Sequence, residues 1–351
     1  MTDNTPIRLL ILGTGNMARN HAMHFARIDG VSVVGGVDVN RDRLDAFLTT
    51  HGVRQGFGSF EDALAWGEFD AIANVTPDNM HHATTMLAIA AKKHIFCEKP
   101  LATDFLKAQE MTDAARKAGL VAMVNLTYRN VAQLQAGRDL ILAGKIGAVR
   151  HVEASYLQGW LVSPSWGDWR VEPGLLWRLS KAHGSNGTLG DIGIHILDFA
   201  TFGSASEIRD MSCRLKTFDK APGGRIGDYV LDANDSFAMV VEFENGALGV
   251  IHSTRFAPGH QNDLRLRVYG TLGALEVNHA PKGSSLKVCV GEDMATQTWV
   301  DVEIPDGETN YQRFIAAVRA GETREPSFAH AAKLQKLLDL GLATEGATPL
   351  A

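Results

Sequence analysis

Through roughly the first 125 residues, short continuous apolar runs alternate with segments whose apolar residues recur at helical spacing. The runs are IRLLILG (7–13), VSVVGGVD (31–38), FDAIANV (69–75), HIFCEK (94–99) and VAMVN (121–125). Helical patterns follow the first run to about Ile28 and recur near 41–50, 79–92 and 103–118. Strands without polar alternation, each followed by a helix, predict a parallel sheet covered on both faces. Beyond about residue 145 the apolar period shortens towards two. AVRHVEASYLQ, SCRLKTF, SFAMVVEFENGALGVIHSTRF, LRLRVYGTLGALEV and SLKVCVG read as strands, with Asn245-Gly246 as a hairpin turn. Helices near 308–320 and 329–343 close the chain. The expected architecture is an α/β Rossmann domain, a doubly wound parallel sheet, over residues 1–125. An α+β domain with a large, mainly antiparallel open-faced sheet follows over 126–351, its last helices able to return to the first domain.

One stretch breaks the pattern. GTLGDIGIHILD (187–198) is almost wholly apolar, yet Asp191, His195 and Asp198 fall at i, i+4 and i+7. At helical spacing they share one stripe of an otherwise apolar helix, which predicts a buried helix with that stripe facing something polar. Singly, His195 reads as a satisfied buried histidine and Asp191 as an acid at a helix start. Together they suit general acid–base work.

Composition narrows the function. At 351 residues the chain is long for one core and favours two domains. A formal net charge of −6 argues against nucleic acid or an anionic membrane as partner. Cys97, Cys213 and Cys289 lie far apart, which suits a reducing compartment and neither a disulfide framework nor a zinc site. The opening MTDNTPIRLLILG has no basic leader and too short an apolar run for a membrane span, so the expected location is cytoplasmic. His21, His24, His81 and His82 form no metal-ligand pattern, and no metal site is expected.

Two motifs carry chemistry. In ILGTGNMA, Gly13 makes a tight turn, Gly15 lets the backbone approach a pyrophosphate, and Ala18 allows close helix packing. Asp38 closes the next strand, where an acid binds ribose hydroxyls and repels a 2′-phosphate, which predicts NAD over NADP. CEKPL places Glu98, Lys99 and Pro100 at the ligand-holding edge of the sheet, with Lys99 either solvated or aimed at the site. Four of the six tryptophans, Trp160, Trp166, Trp169 and Trp177, lie within 18 positions beside Arg170 and Arg178. They suit either a sugar-stacking surface or, instead, a subunit interface or an ordered loop core.

The combination resembles the glucose–fructose oxidoreductase / inositol dehydrogenase / rhizopine catabolism (Gfo/Idh/MocA) family. ILGTGNMA, VTPDNMHHATTMLAIAAKKHIFCEKPL, LTYRN and NGTLGDIGIHILDF carry the resemblance, with Asp78 in place of the usual asparagine and Lys92 in place of the usual glycine. The resemblance implies catalysis by Lys99, Asp191 and His195. It implies a cofactor held by Gly13, Thr14, Gly15, Asn16, Met17, Asp38, Val39, Thr76, Pro77, His81, Glu98, Lys99 and Asn125. Substrate would meet Lys99, Tyr128, Arg129, Trp169, Arg170, Asp191 and His195. The implied reaction moves a hydride between NAD, or alternatively NADP, and a secondary hydroxyl of a sugar, glycoside or inositol-like polyol. The competing readings are an NADPH-dependent reductase of a keto- or anhydrosugar and a non-catalytic sensor. An exposed sheet face further implies a homo-oligomer, dimer or tetramer.

Overall fold

The computed structural model describes residues 6–344. The chain forms two compact units, Met1–Thr127 with Glu308–Lys336, and Tyr128–Gly307 with Leu337–Ala351. In the first, β1 (Ile7–Leu12), α1 (Asn16–Ala26), β2 (Val31–Val37), α2 (Arg41–His51), β3 (Gln55–Phe57) and α3 (Phe60–Trp66) follow one another. Then come β4 (Ala71–Asn74), α4 (Asp78–Ala90), β5 (His94–Cys97), α5 (Phe105–Lys117) and β6 (Ala122–Val124). The six strands run parallel in the order β3-β2-β1-β4-β5-β6. That order reverses between β1 and β4, and the crevice at such a reversal is where doubly wound sheets hold ligands.

Continuous apolar strands are explained by burial on both faces. Leu9, Ile11, Ala71, Ala73 and Phe96 are all fully buried. The third strand and its helix escape the sequence reading because QGF and FEDALAW are too short to show a period. Lys92, standing where the family pattern has glycine, ends α4 at φ 56°, in the left-handed region that glycine favours.

The second unit contains α6 (Ala132–Leu142), β7 (Val149–Gln158), the single-turn α7 (Pro173–Leu176), α8 (Ile194–Gly203) and β8 (Ile208–Lys216). A small hairpin of β9 (Arg225–Ile226) and β10 (Tyr229–Val230) precedes β11 (Ser236–Phe243), β12 (Leu248–Thr254), β13 (Gln261–Gly270), β14 (Gly273–Ala280) and β15 (Gly283–Val290). α9 (Asp293–Thr296) and β16 (Val300–Val302) complete it. Eight strands form one sheet in the order β16-β15-β14-β13-β7-β12-β11-β8, antiparallel except where β12 runs parallel to β7. Helices α8 and α6 pack on this sheet. Asn245 and Gly246 make the turn between β11 and β12, as the sequence predicts.

Of the closing helices, α10 (Asn310–Ala320) belongs to the first unit, and α11 (Phe328–Leu342) contributes to both. A capping box between Thr309 and Gln312 starts α10. Its Tyr311 and Phe314 join Phe25 and Phe96 in one aromatic core.

Candidate active site

In the first unit the glycine loop leaves β1 and enters α1. Gly13 has φ 90°, and a Cβ there would lie 2.7 Å from the Val75 carbonyl oxygen, so only glycine fits this close approach. Gly15 is different. Its φ is −69°, and a Cβ would meet nothing within 4 Å. The fold does not demand glycine here, and the open space at the start of α1 suits a phosphate approaching the backbone amides. The residues present therefore fit a dinucleotide.

Asp38 is held in place by the same loop. Its Oδ2 accepts from the Thr14 amide at 3.0 Å and hydroxyl at 2.9 Å, and its Oδ1 from the Asn40 amide at 2.8 Å. Burial pushes this carboxyl up, but those bonds and the nearby Arg43 outweigh it and hold it below the usual range. Arg43 lies 3.4 Å away, and a cleft of about 220 Å³ lined by Thr14, Gly15, Arg19 and Arg43 adjoins the loop. Met17 and Val39 are exposed beside it.

At the ends of β4 and β5, buried polar groups shape the loops. Asn74 takes the Thr76 hydroxyl at 2.7 Å and donates to Thr84 at 2.8 Å. His81 is fully buried, its two ring nitrogens 2.7 and 2.9 Å from the carbonyls of Pro100 and Thr76. It thereby ties together the loops that carry Thr76–Pro77 and Lys99. The Lys99–Pro100 peptide is cis, and Lys99 itself is half-buried. Glu98 turns inward. Its Oε1 accepts from His21 and from Asn125, each at 2.7 Å. Glu98, His81 and Asn125 are thus supports for the loop ends.

In the second unit the acid–imidazole segment begins at Gly187, where φ is +67° and a Cβ would lie 2.4 Å from the Asn234 side chain. Asn234 is completely buried and holds the chain on both sides, accepting from the Leu189 amide and donating to the Asn186 carbonyl, each at 3.0 Å. Leu189–Gly193 then forms a π-helical turn before α8, a widening that often marks functional sites. The expected stripe is divided between surface and core. Asp191 and His195 are both half-buried, whereas Asp198 is buried in a two-pronged pair with Arg129, whose Nη2 lies 2.7 Å from Oδ1.

Asp191 Oδ2 accepts from two guanidinium groups, Arg178 at 3.0 Å and Arg255 at 2.8 Å. Arg255 has no solvent exposure, lies over the Trp160 ring, and also donates to the Arg178 carbonyl at 3.0 Å. The ring of Tyr128 meets His195 edge-on, with centroids 5.0 Å apart.

Several expected contacts fall elsewhere. Arg129 is 2% exposed and committed to Asp198, so it leaves the substrate-binding set. Trp169 is buried in a cluster with Trp160, Leu161, Leu176 and Leu179, its indole donating to the Leu161 carbonyl. Arg170 is exposed over that indole and pairs with Asp168. The packing supports the loop-core reading for Trp160, Trp166 and Trp169, whereas Trp177 is 37% exposed. Asn74, Asn234 and Arg255 are missed by sequence reasoning. Only the fold gives them partners, and a lone Arg after a strand carries no signal. Among the described residues no group of three or more His, Cys, Asp or Glu could hold a metal.

The family models agree with this division. One for the oxidoreductase family with the NAD-binding Rossmann fold matches residues 7–126, and one for the GFO/IDH/MocA C-terminal domain matches 134–276. The 1,5-anhydro-D-fructose reductase of Ensifer adhaerens is 30% identical over 272 residues, covering 76% of this chain and 74% of that protein. The chain belongs to the Gfo/Idh/MocA oxidoreductase family. This family member also resembles the levoglucosan dehydrogenase of Pseudarthrobacter phenanthrenivorans, 30% identical over 63% of the chain. That match spans 58% of the dehydrogenase, less than two thirds of its length. A solved levoglucosan dehydrogenase in complex with NADH and L-sorbose superposes with a TM-score of 0.85 at 23% identity, covering 97% of this chain and 96% of that one. At that identity the likeness is one of fold.

Glu98 offers a test of the support network. Burial alone would raise its carboxyl, but His21, Asn125 and the Lys99 charge outweigh burial and bring it to about 2. The folded state therefore ionises more readily than the unfolded one, whose value is near 4.5. The resulting stability is present above about pH 4.5 and fades as pH falls towards about 2. Glu98→Gln is expected to lose roughly 2–3 kcal/mol at pH 7 and to flatten this acid limb. Urea unfolding at pH 7, 4.5 and 3 checks it, and parallel acid limbs in the two proteins would contradict it.

Proposed function

We propose that this oxidoreductase transfers a hydride between NAD and a secondary hydroxyl of a sugar, glycoside or cyclic polyol. The observation that carries the reading is the half-exposed Asp191–His195 pair, four residues apart, with its acid clamped by two guanidiniums. It occurs in a chain whose other unit has a nucleotide-fitting glycine loop and Lys99 at the ligand edge of the sheet. The named sugar dehydrogenase and anhydrosugar reductase among its relatives support the same substrate class.

Gly13, Thr14, Gly15, Asn16 and Met17 hold the pyrophosphate end of the cofactor, and Asp38 with Val39 the adenosine end. Thr76 and Pro77 border the nicotinamide, which when bound accepts or returns the hydride at its C4. His195 takes the proton of the substrate hydroxyl. Lys99 stabilises the negative charge that develops on that oxygen. Asp191, fixed in place by Arg178 and Arg255, accepts a hydrogen bond from a neighbouring hydroxyl, and Tyr128 contacts the substrate beside His195. Asp38 disfavours a 2′-phosphate, so NAD is preferred. The ion pair of Arg43 with Asp38 and the likeness to an anhydrosugar reductase favour one second reading, reduction with NADPH. The working location is the cytoplasm, and among the described residues no helix is long and apolar enough to cross a membrane.

The kinetic test is a panel of levoglucosan, glucosides, anhydrosugars and inositols with both cofactors. Once a substrate is found, His195→Ala is expected to lower kcat about 10²–10⁴-fold with NAD affinity nearly unchanged. Lys99→Ala is expected to be at least as damaging. Wild-type kcat in His195→Ala would remove it from the reaction, and nucleotide binding without turnover of any sugar would favour a sensor.

We further infer a homo-oligomer built on the open face of the larger sheet. Val240, Leu248 and Val250 are 52%, 53% and 37% exposed there, with Val240 directly opposite Val250 across the β11–β12 ladder. Soluble proteins usually cover such apolar faces. Light scattering at micromolar concentration should show a dimer or tetramer that Val240→Asp with Val250→Lys breaks into smaller species. A wild-type monomer would overturn the assignment.

A further inference from the structure

A chain of polar side chains in the second unit has its direction forced from one end. Trp160 Nε1 lies 3.0 Å from Gln158 Oε1, and an indole N–H can only donate. The Gln158 carbonyl therefore accepts, and its amide nitrogen donates to Asn262 Oδ1 at 2.6 Å. The Tyr156 hydroxyl donates to the same oxygen at 2.8 Å. Having given away its one hydrogen, Tyr156 accepts from the Tyr128 hydroxyl at 2.7 Å. Burial raises both phenols above the ordinary tyrosine range, so each keeps its hydrogen at working pH.

Two hydrogen-bonding capacities are left over. The Tyr128 oxygen has spent its hydrogen and retains only acceptor lone pairs. The Asn262 amide nitrogen has two hydrogens and no described acceptor. Both residues are half-buried, whereas Tyr156, Gln158 and Trp160 behind them are buried. Tyr128 stands edge-on to His195. Asn262 adopts φ 81°, a left-handed conformation costly for a residue other than glycine, where the β13–β7 register slips between Gln261 and Asp263. Bulges of this kind re-aim side chains and recur next to active sites.

We propose that Tyr128 and Asn262 read two substrate hydroxyl positions beside His195, with opposite demands. At the Tyr128 position the substrate must donate, so an O–H is required. At the Asn262 position it must accept, so any oxygen lone pair serves, a ring or ether oxygen included. The preferred substrate is accordingly a ring with a free hydroxyl at the first position and an oxygen of any kind at the second. The inference rests on the sugar oxidoreductase reading and specifies what that site recognises.

The test uses deoxy, deoxyfluoro and O-methyl derivatives of levoglucosan, methyl β-D-glucoside and myo-inositol, with kcat/KM measured in wild type, Tyr128→Phe and Asn262→Gly. Glycine keeps the left-handed backbone available. Asn262→Asp is a second variant, which keeps the acceptor for Tyr156 and Gln158 but removes the donors. In wild type, at one position deoxygenation and fluorination should each cost about 10–100-fold, because neither replacement donates. Tyr128→Phe should erase that discrimination. At a second position deoxygenation should be costly but O-methylation much less so, and Asn262→Gly and Asn262→Asp should each erase the difference. If wild type turns over a sugar but the variants lose the same factor on every derivative, this assignment fails and the dehydrogenase reading stands. If no sugar is turned over, both fail.

Discussion

Asp191 is usable because two guanidinium groups converge on one of its oxygens. A fully buried arginine is expensive to desolvate and is tolerated where an opposite charge lies against it. Arg255 has that opposite charge in Asp191, and its two terminal nitrogens donate to Asp191 and the Arg178 carbonyl, while its buried Nε has no partner among the described residues. The constraint works in both directions: the acid satisfies the buried cation, and the cation fixes where the acid stands. Arg178, partly exposed, holds the same oxygen from another side. The π-helical turn and the Asn234 clamp bring Asp191 to that meeting point, and α8 carries His195 onward from it.

The same economy of buried polar groups governs the first unit. Asp38, Asn74, His81 and Glu98 all spend hydrogen-bonding capacity on the chain's own loops. Rigid loop ends at the sheet's ligand edge are what a dinucleotide site needs, since recognition loses affinity for every group that must be ordered on binding. Rigidity in one unit and clamped charge in the other are two solutions to one problem, holding functional groups still.

Most of the fold was legible in the sequence because period and burial coincide. Near-continuous apolar runs such as LLIL within IRLLIL fit a sheet covered on both faces, and alternation in SFAMVVEF marks a sheet with one covered face. Short pieces, β3 and α3 above all, have too few residues to declare a period. At the site, motif residues such as Gly13 and Asp38 announce themselves by spacing. Arg255, Asn234 and Asn262 do not, because each matters through a partner at least 45 positions away or through a single backbone angle. Asp198 shows the converse: helical counting placed it with His195, and its pair with the buried Arg129 holds it in the core.

The central proposal is that a hydride moves between a carbinol carbon of the substrate and the nicotinamide of a bound NAD. It is tested most directly by following that hydrogen. With a substrate deuterated at the oxidised carbon, NMR of the reduced nucleotide should find the deuterium at C4 of the nicotinamide ring, on one face only. Nucleotide reduced without the label, or deuterium lost to solvent while the nucleotide stays oxidised, would contradict the account.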